Sequence, residues 1–385
     1  MTPLSLSPNS DKQTTSAHWH NEKVFDHADC YFDSLLSGIE RAQHSIELET
    51  YIFDHDPLGI SVVEALVNAS QRGIQVRVLI DGFGARDSLA YLLPKLQSSG
   101  TEVRVYHPLP WYFRAHPWSL NQHSTLGKIG FLFARLNQRD HRKLCIIDQK
   151  SAWVGSFNIS SVHLSQARGG NNWRDYGVKV SSANVTRLTY NFDNLWFQRE
   201  AIPQTGFLKQ YVSNLSPLTR RLRQEFLVSL IDRCQLRLWI TNAYFAPSSR
   251  ILKALKRACL RGVDVRLIVS EKSDVVFFPI LTATYYGDLL RFGVRVFAYH
   301  QRVLHAKVML VDDKAIIGST NFNQRSFLHD LELDLVLNKK SSIDLLERCF
   351  HQDASDSITL DKRQLKRYQA SRWFGWLPRL FRYWL

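Results

Sequence analysis

The chain has 385 residues, of which 45% are hydrophobic and 22% charged, a globular composition that excludes disorder as the default and leaves room for two domains with separate cores. A formal charge of +14 points to an anionic partner, which narrows the field to nucleic acid, an acidic membrane surface, or both. The five cysteines (Cys30, Cys145, Cys234, Cys259 and Cys349) are odd in number and widely spaced, so neither a disulfide framework nor a zinc site is expected, and a reducing compartment fits best.

Met1 to Ser16 is polar and rich in Ser and Thr, without the basic start and apolar stretch of a secretory signal, and residues 1–20 are read as a flexible N-terminus. No apolar run reaches the ~18 to 20 residues of a membrane span, so any contact with a bilayer is expected to be peripheral. Ser45 to Phe53 (SIELETYIF) reads as a strand, followed by a helical pattern through Val63 and Leu66. Arg72 to Gly82 (RGIQVRVLIDG) reads as a helix-ending Arg-Gly and a β-branched strand, and GTEVRVYHP from Gly100 as another strand. A motif-bearing hairpin follows from His141, and Pro, Gly and Ser between about Ala201 and Arg220 suggest a domain boundary.

The second half then repeats the first in the same order. Gln235 to Phe245 matches the first strand, Leu252 and Leu255 its helix, Arg261 to Glu271 the Arg-Gly strand, GVRVFAYH from Gly293 the next strand, and HAKVMLVDDKAIIGSTNFNQ from His305 the hairpin. This is an α/β plan with a mixed sheet, present twice. The expected domains span 21–205 and 215–355, with a tail at 360–385. The offset between matched landmarks falls from 193 at Gly100/Gly293 to 164 at His141/His305, a difference of 29 that places an insertion in the first half at about 107–139.

The hairpins carry His141/Lys143/Asp148 and His305/Lys307/Asp312, an HxKxxxxD pattern met by chance at about one in ten thousand starting positions. Each is followed by Gly-Ser-x-Asn: Gly155, Ser156 and Asn158, then Gly318, Ser319 and Asn321. Along a strand, His and Lys two apart face the same way. A phosphodiester repels nucleophiles, so a site that cleaves it needs cations for the non-bridging oxygens, an in-line nucleophile and an acid for the leaving oxygen. Lys143 and Lys307 can supply charge, Asn158 and Asn321 amide donors to phosphate, and the two histidines nucleophile and acid. Asp175 in NNWRD and Glu332 in HDLELD, downstream of the motifs, are the carboxylates expected to orient the imidazoles. Asp148 and Asp312 end apolar strands and divide evenly between a part in the site and turn capping, whereas Gly155 and Gly318 are expected to serve turn geometry alone.

These motifs resemble the phospholipase D superfamily over about Ser45 to Leu337, and within it the bacterial cardiolipin synthases. YIFDHDPLG from Tyr51, WRDYGV from Trp173, NAYFAPS, RGVDVRLIVSEKSD and GSTNFNQRSF carry the likeness. The resemblance implies two similar α-β-α sandwich domains with mixed β-sheets, related by a pseudo-twofold, with the active site at their interface. It further implies a covalent phosphohistidine, no cofactor and no metal, and transfer of a phosphatidyl group between two phosphatidylglycerol molecules to give cardiolipin and glycerol. Two departures stand out. Asn323 occupies a place where the family often has Asp, and the paired N-terminal transmembrane helices of some members are missing, as in the group with a soluble start.

From Val103 to Arg139 there is no acidic residue, while Arg104, Arg114, Lys128, Arg135 and Arg139 alternate with Trp111, Tyr112, Phe113, Trp118, Phe131 and Phe133. The tail from Lys362 repeats this mixture, with Trp373, Trp376, Phe381 and Trp384 among arginines and lysines, and is read as an interfacial anchor. Each cation near anionic lipid contributes about 1 kcal/mol, which favours the cytoplasmic face of the cell membrane. The alternatives on the same two-histidine site are a phospholipase D, with water as acceptor, and a phosphodiesterase nuclease, since a basic aromatic cleft also suits single-stranded nucleic acid. A non-catalytic scaffold is disfavoured by retention of both histidines, lysines and asparagines.

Overall fold

The computed structural model describes residues 18–108, 138–198, 210–361 and 363–365. The first half runs β1 (Asn21–Phe25), α1 (Ala28–Glu40), β2 (Ser45–Thr50), α2 (Pro57–Gln71), β3 (Gln75–Asp81), α3 (Leu89–Gln97), β4 (Glu102–Tyr106), β5 (Leu144–Ile147), β6 (Ser151–Gly155), β7 (Gly177–Ser181) and α4 (Val185–Trp196). The second runs β8 (Tyr211–Ser213), α5 (Pro217–Arg233), β9 (Arg237–Asn242), α6 (Ser249–Leu260), β10 (Asp264–Ser270), α7 (Phe278–Phe292), β11 (Arg295–Tyr299), β12 (Lys307–Val311), β13 (Lys314–Gly318), α8 (Gln324–Leu328), β14 (Leu333–Leu337), α9 (Lys340–Ser355) and β15 (Ser357–Thr359).

Local chemistry sets these boundaries. The Asp56 carboxylate accepts from the Gly59 amide ahead of Pro57 to start α2, and Ser216 forms a capping box with Thr219 at α5. The Arg-Gly pairs end α2 and α6 because Gly73 and Gly262 take φ of 83° and 84°, where a side chain would strain the chain.

The strands form a seven-stranded sheet, β1-β7-β6-β5-β2-β3-β4, and an eight-stranded one, β15-β11-β10-β9-β12-β13-β14-β8. In each, three parallel strands adjoin an antiparallel hairpin: β5 pairs with β2, and β12 with β9. Leu144 lies opposite Glu49, and Lys307 opposite Asn242, so both motifs enter their strands at the carboxyl edge of the parallel strands.

Side-chain alternation divides each central strand between two cores. Cys145 and Ile147 face an outer core with α1 to α3, and Met309 and Val311 one with α5 to α7. Leu144, Ile146, Val308 and Leu310 point the other way into a shared core, which also takes Phe192 of α4 and Phe350 of α9. The two halves are thus layers against one apolar seam rather than beads on a linker. The seam also holds a buried polar cluster: the Arg174 Nε donates to Asp353 Oδ1 at 2.8 Å, and the Tyr176 hydroxyl donates to Asp353 Oδ2 at 2.7 Å. Trp19 is buried and donates to the Val336 carbonyl at 3.2 Å, so the segment expected to be flexible is fixed from there onward. The second half continues past 355 because β15 pairs with β11.

Most of the expected insertion, the tail beyond 365, and residues 1–17 lie outside the described residues. Two cations at the ends of the acid-free stretch turn inward. Arg104 stacks on the Trp196 ring at 4.4 Å, and buried Arg139 donates to the His107 carbonyl at 2.9 Å. Among the described residues, no helix is long and apolar enough to cross a membrane.

Candidate active site

The histidines stand just ahead of their strands rather than on them. His141 and Lys143 both precede β5, and His305 precedes β12, which begins at Lys307. Each is fixed by the opposite half. Asp140 bridges to Leu331 and Arg174 to Leu304, while the His141 amide donates to the Leu331 carbonyl at 3.0 Å and the His305 amide to the Arg174 carbonyl at 2.8 Å. Those partner segments carry the two expected carboxylates, Asp175 and Glu332.

The side chains cross in the same way. His141 Nδ1 meets Glu332 Oε2 at 3.1 Å, and His305 Nδ1 meets Asp175 Oδ2 at 2.6 Å. Each imidazole is therefore oriented by the half that does not contain it, and its Nε2 is left for chemistry. Both histidines and both lysines are buried. His141 responds electrostatically to Lys143, Lys307 and His305, so the two motifs act on one space.

Hydroxyls complete each carboxylate. Ser156 Oγ donates to Asp175 Oδ1, and Ser319 Oγ to Glu332 Oε2. Gly155 and Gly318 have a different role from the one expected of a turn. A Cβ on Gly155 would lie 2.6 Å from Gly177 Cα, and one on Gly318 2.2 Å from the Leu333 carbonyl oxygen. Glycine here lets β6 and β13 approach the strands that deliver Asp175 and Glu332.

Burial and charge set the protonation states. Burial pushes His141 well below the usual imidazole range, assisted by Lys143, and lowers His305, assisted by Lys307 and opposed by Asp175. Burial alone would raise Asp175, but the charge and hydrogen bond of His305, with Lys307 and His163, bring it below the ordinary carboxylate range. For Glu332 burial wins and the carboxyl is raised, against Arg223, Lys143 and its serine donors. Lys143 is lowered to about 7 and Lys307 to about 8, mainly by burial, and the Lys143 ammonium donates to the His141 carbonyl at 2.6 Å.

Asn158 and Asn321 are buried, and the carboxamide oxygen of each has no hydrogen-bond partner among the described residues. The unfilled capacity is that of an acceptor oxygen. Asp148 and Asp312 are outside this group. Five residues of extended chain, roughly 16 Å, separate Lys143 from Asp148. The Asp148 carboxylate accepts from the amides of Gln43, His44 and Ser45, and that of Asp312 from Gln235, Leu236 and Arg237. With φ of 52° and 49°, they shape the turns and anchor the starts of β2 and β9, which matches the turn-capping alternative expected for them rather than the catalytic one. The first turn also holds one residue more, joining Ile147 to Ser151 where the second joins Val311 to Lys314.

Asn323, the departure from Asp, caps α8 by accepting from the Ser326 amide at 2.9 Å, a task either side chain performs. Sequence reasoning missed Tyr51 and Tyr244, whose rings lie 5.1 Å from His141 and 6.1 Å from His305 and 5.2 and 5.5 Å from the ammonium groups of Lys143 and Lys307. Their recurrence in YIF and NAYF was the available signal. It also missed His163, buried against His305 with ring centroids 5.5 Å apart. Among the described residues, His163, Asp175 and His305 alone bring three donor atoms within 4.8 Å, close enough to share an ion, but the 2.6 Å bond between His305 and Asp175 takes up that space.

A family model described as "Cardiolipin synthase, PLD-like domain" matches residues 35–196 and 227–354. Cardiolipin synthase 1 of Bacillus anthracis is 26% identical over 386 residues, 94% of this chain and 71% of that protein. The cardiolipin synthase of Listeria monocytogenes serotype 4b is 28% identical over 344 residues, 86% of this chain and 68% of that protein. Among solved structures, phosphatidylserine synthase of Haemophilus influenzae has a TM-score of 0.68 at 14% identity, covering 94% of this chain and 95% of that one, a likeness of fold. Each matched segment contains one His/Lys pair and one of the crossing carboxylates, and the chain belongs to this cardiolipin synthase family of phospholipase D-like enzymes.

Proposed function

We propose that the protein transfers a phosphatidyl group from one phosphatidylglycerol to the glycerol hydroxyl of another, making cardiolipin and releasing glycerol. The observation that supports this most is the reciprocal pairing of His141 with Glu332 and His305 with Asp175, which gives two oriented imidazoles in one buried site. His141 is the nucleophile, because burial and two ammonium groups keep its ring unprotonated. His305 is the acid, because its partner Asp175 stays ionised and stabilises an imidazolium.

In the first step His141 Nε2 bonds to phosphorus, the bond to the glycerol oxygen breaks, and His305 protonates that oxygen. In the second, His305 takes the proton from the incoming hydroxyl, whose oxygen bonds to phosphorus as the histidine leaves. Lys143, Lys307 and the amides of Asn158 and Asn321 hold the non-bridging oxygens throughout. The cationic chain would meet anionic lipid at the cytoplasmic face of the membrane without spanning it.

The test is incubation of the full chain with phosphatidylglycerol vesicles and, separately, with single-stranded DNA. Cardiolipin and glycerol should appear in equal amounts, and His141→Ala should reduce turnover by roughly a thousandfold or more. Phosphatidic acid in place of cardiolipin would reassign the acceptor to water, and DNA cleavage without lipid turnover would reverse the substrate class.

A further inference from the structure

The two halves differ at the junction between the asparagine and the carboxylate. In the second half the Asn321 backbone N–H donates to Ser326 Oγ at 3.3 Å, and that hydroxyl donates to Glu332 Oε1 at 2.5 Å. In the first half the Asn158 backbone N–H donates to His163 Nε2, also at 3.3 Å, and His163 Nδ1 lies 3.6 Å from Asp175 Oδ2. Serine and histidine thus occupy the same junction, between the phosphate-side asparagine and the orienting carboxylate.

The inequality is matched by the carboxylates. Glu332 is one methylene longer than Asp175 and meets the small serine, whereas the shorter Asp175 faces the larger imidazole. Because Nε2 accepts from an amide, the neutral ring must hold its proton on Nδ1, the atom aimed at Asp175. Nδ1 is buried and has no hydrogen-bond partner among the described residues, and the Asp175 oxygen 3.6 Å away is the acceptor it faces. Burial keeps this imidazole neutral, lowering it to about 3 with His305, Lys307 and Lys143 opposing Asp175. The rings of Phe157, Trp173 and His305 close the remaining sides, each 5.5 Å from His163.

We propose that His163 is a positioning residue of the first half, sharing Asp175 with His305 through an Nδ1–H donor and so making the two orienting carboxylates chemically unequal. A contraction of about half an ångström brings the Nδ1–Oδ2 distance within hydrogen-bonding range. The shared carboxylate then gives less of its charge to His305, which eases release of the proton to the leaving group. In the second half Ser326 engages the Glu332 oxygen away from His141 and Ser319 the oxygen facing it, so that carboxylate is shared with hydroxyls rather than with a second imidazole.

The inference extends the acid role assigned to His305, and two readouts separate it from the substrate assignment. In full chain labelled with nitrogen-15 at histidine, NMR should report His163 as the neutral Nδ1–H form across the pH range of activity. An Nε2–H tautomer would overturn the proposal even if no lipid were turned over. In kinetics on phosphatidylglycerol vesicles, His163→Ser should lower kcat roughly tenfold with KM little changed, because orientation in the transition state is lost. Its alkaline limb should move upward by several tenths of a pH unit, as Asp175 returns its full charge to His305. His163→Asn, whose amide can both accept and donate, should retain the wild-type limb, and His163→Ser with Asp175→Glu should recover most of the loss. A kcat loss with no movement of the limb and no recovery in the double variant would reduce His163 to a packing role. If His163→Ser does not fold, the tautomer of the wild-type protein still decides.

Discussion

At the scale of single residues, the crossed hydrogen bonds make each carboxylate responsible for a histidine far away in sequence. Glu332→Gln should slow formation of phosphohistidine at His141, whereas Asp175→Asn should leave the nucleophile intact and impair protonation of the leaving group by His305. Each should cost roughly a hundredfold in kcat, and single-turnover phosphorylation by a diester whose leaving group needs no proton would tell them apart, staying fast in Asp175→Asn and becoming slow in Glu332→Gln. The lysines make a second expectation. Lys143 and Lys307 titrate near 7 and 8, since burial removes their hydration, so cationic charge in the site fades as pH rises through that interval. Inorganic phosphate should therefore inhibit roughly tenfold less well at the top of that window, measured as a pH-dependent inhibition constant. Folding has the opposite trend: the unfolded chain keeps these protons to about pH 10, so their contribution to stability increases with pH above 7. The HxK pairs and both carboxylates were legible from the duplication of the text. His163 was not, because its meaning lies in a difference between the copies, five residues past Asn158 where the second copy has Ser326.

At the scale of elements, the hairpins are held by features that spacing suggested but did not explain. Gly318 looked like a turn residue, yet its missing side chain admits the Leu333 carbonyl and so seats Glu332. Gly318→Ala should destabilise the protein by about 1 to 3 kcal/mol, read from its denaturation midpoint, with activity falling further than stability. Asn323→Asp should change stability by less than about 0.5 kcal/mol, since either side chain caps α8. The strand-helix-strand order was readable from periodicity and Arg-Gly stops. The partnering of β5 with β2, and of β8 with β14, was not, because long-range pairing leaves no local signature.

At the scale of the whole molecule, two cores face outward and one lies between the sheets, so the seam is part of the hydrophobic interior. Asp353 on α9 reaches across it to Arg174, the residue that precedes Asp175. Asp353→Ala would leave the buried Arg174 guanidinium with only the more distant Asp26 carboxylate, 3.9 Å away, and should destabilise by about 3 kcal/mol, seen as a lower thermal midpoint. Composition indicated two domains, but the charge pattern did not reveal that Arg104 and Arg139 serve the fold, because a linear count of cations cannot distinguish those that do from those that face lipid.

The exchange of backbone bridges at Asp140–Leu331 and Arg174–Leu304 has a consequence for how activity would be lost. Neither half carries a finished imidazole, so prying the sheets apart by even a hydrogen-bond length would silence nucleophile and acid together. Under gentle denaturant, turnover should vanish in one event while far-ultraviolet circular dichroism still registers intact helices and strands. Separately expressed halves should be inert alone and regain catalysis on mixing.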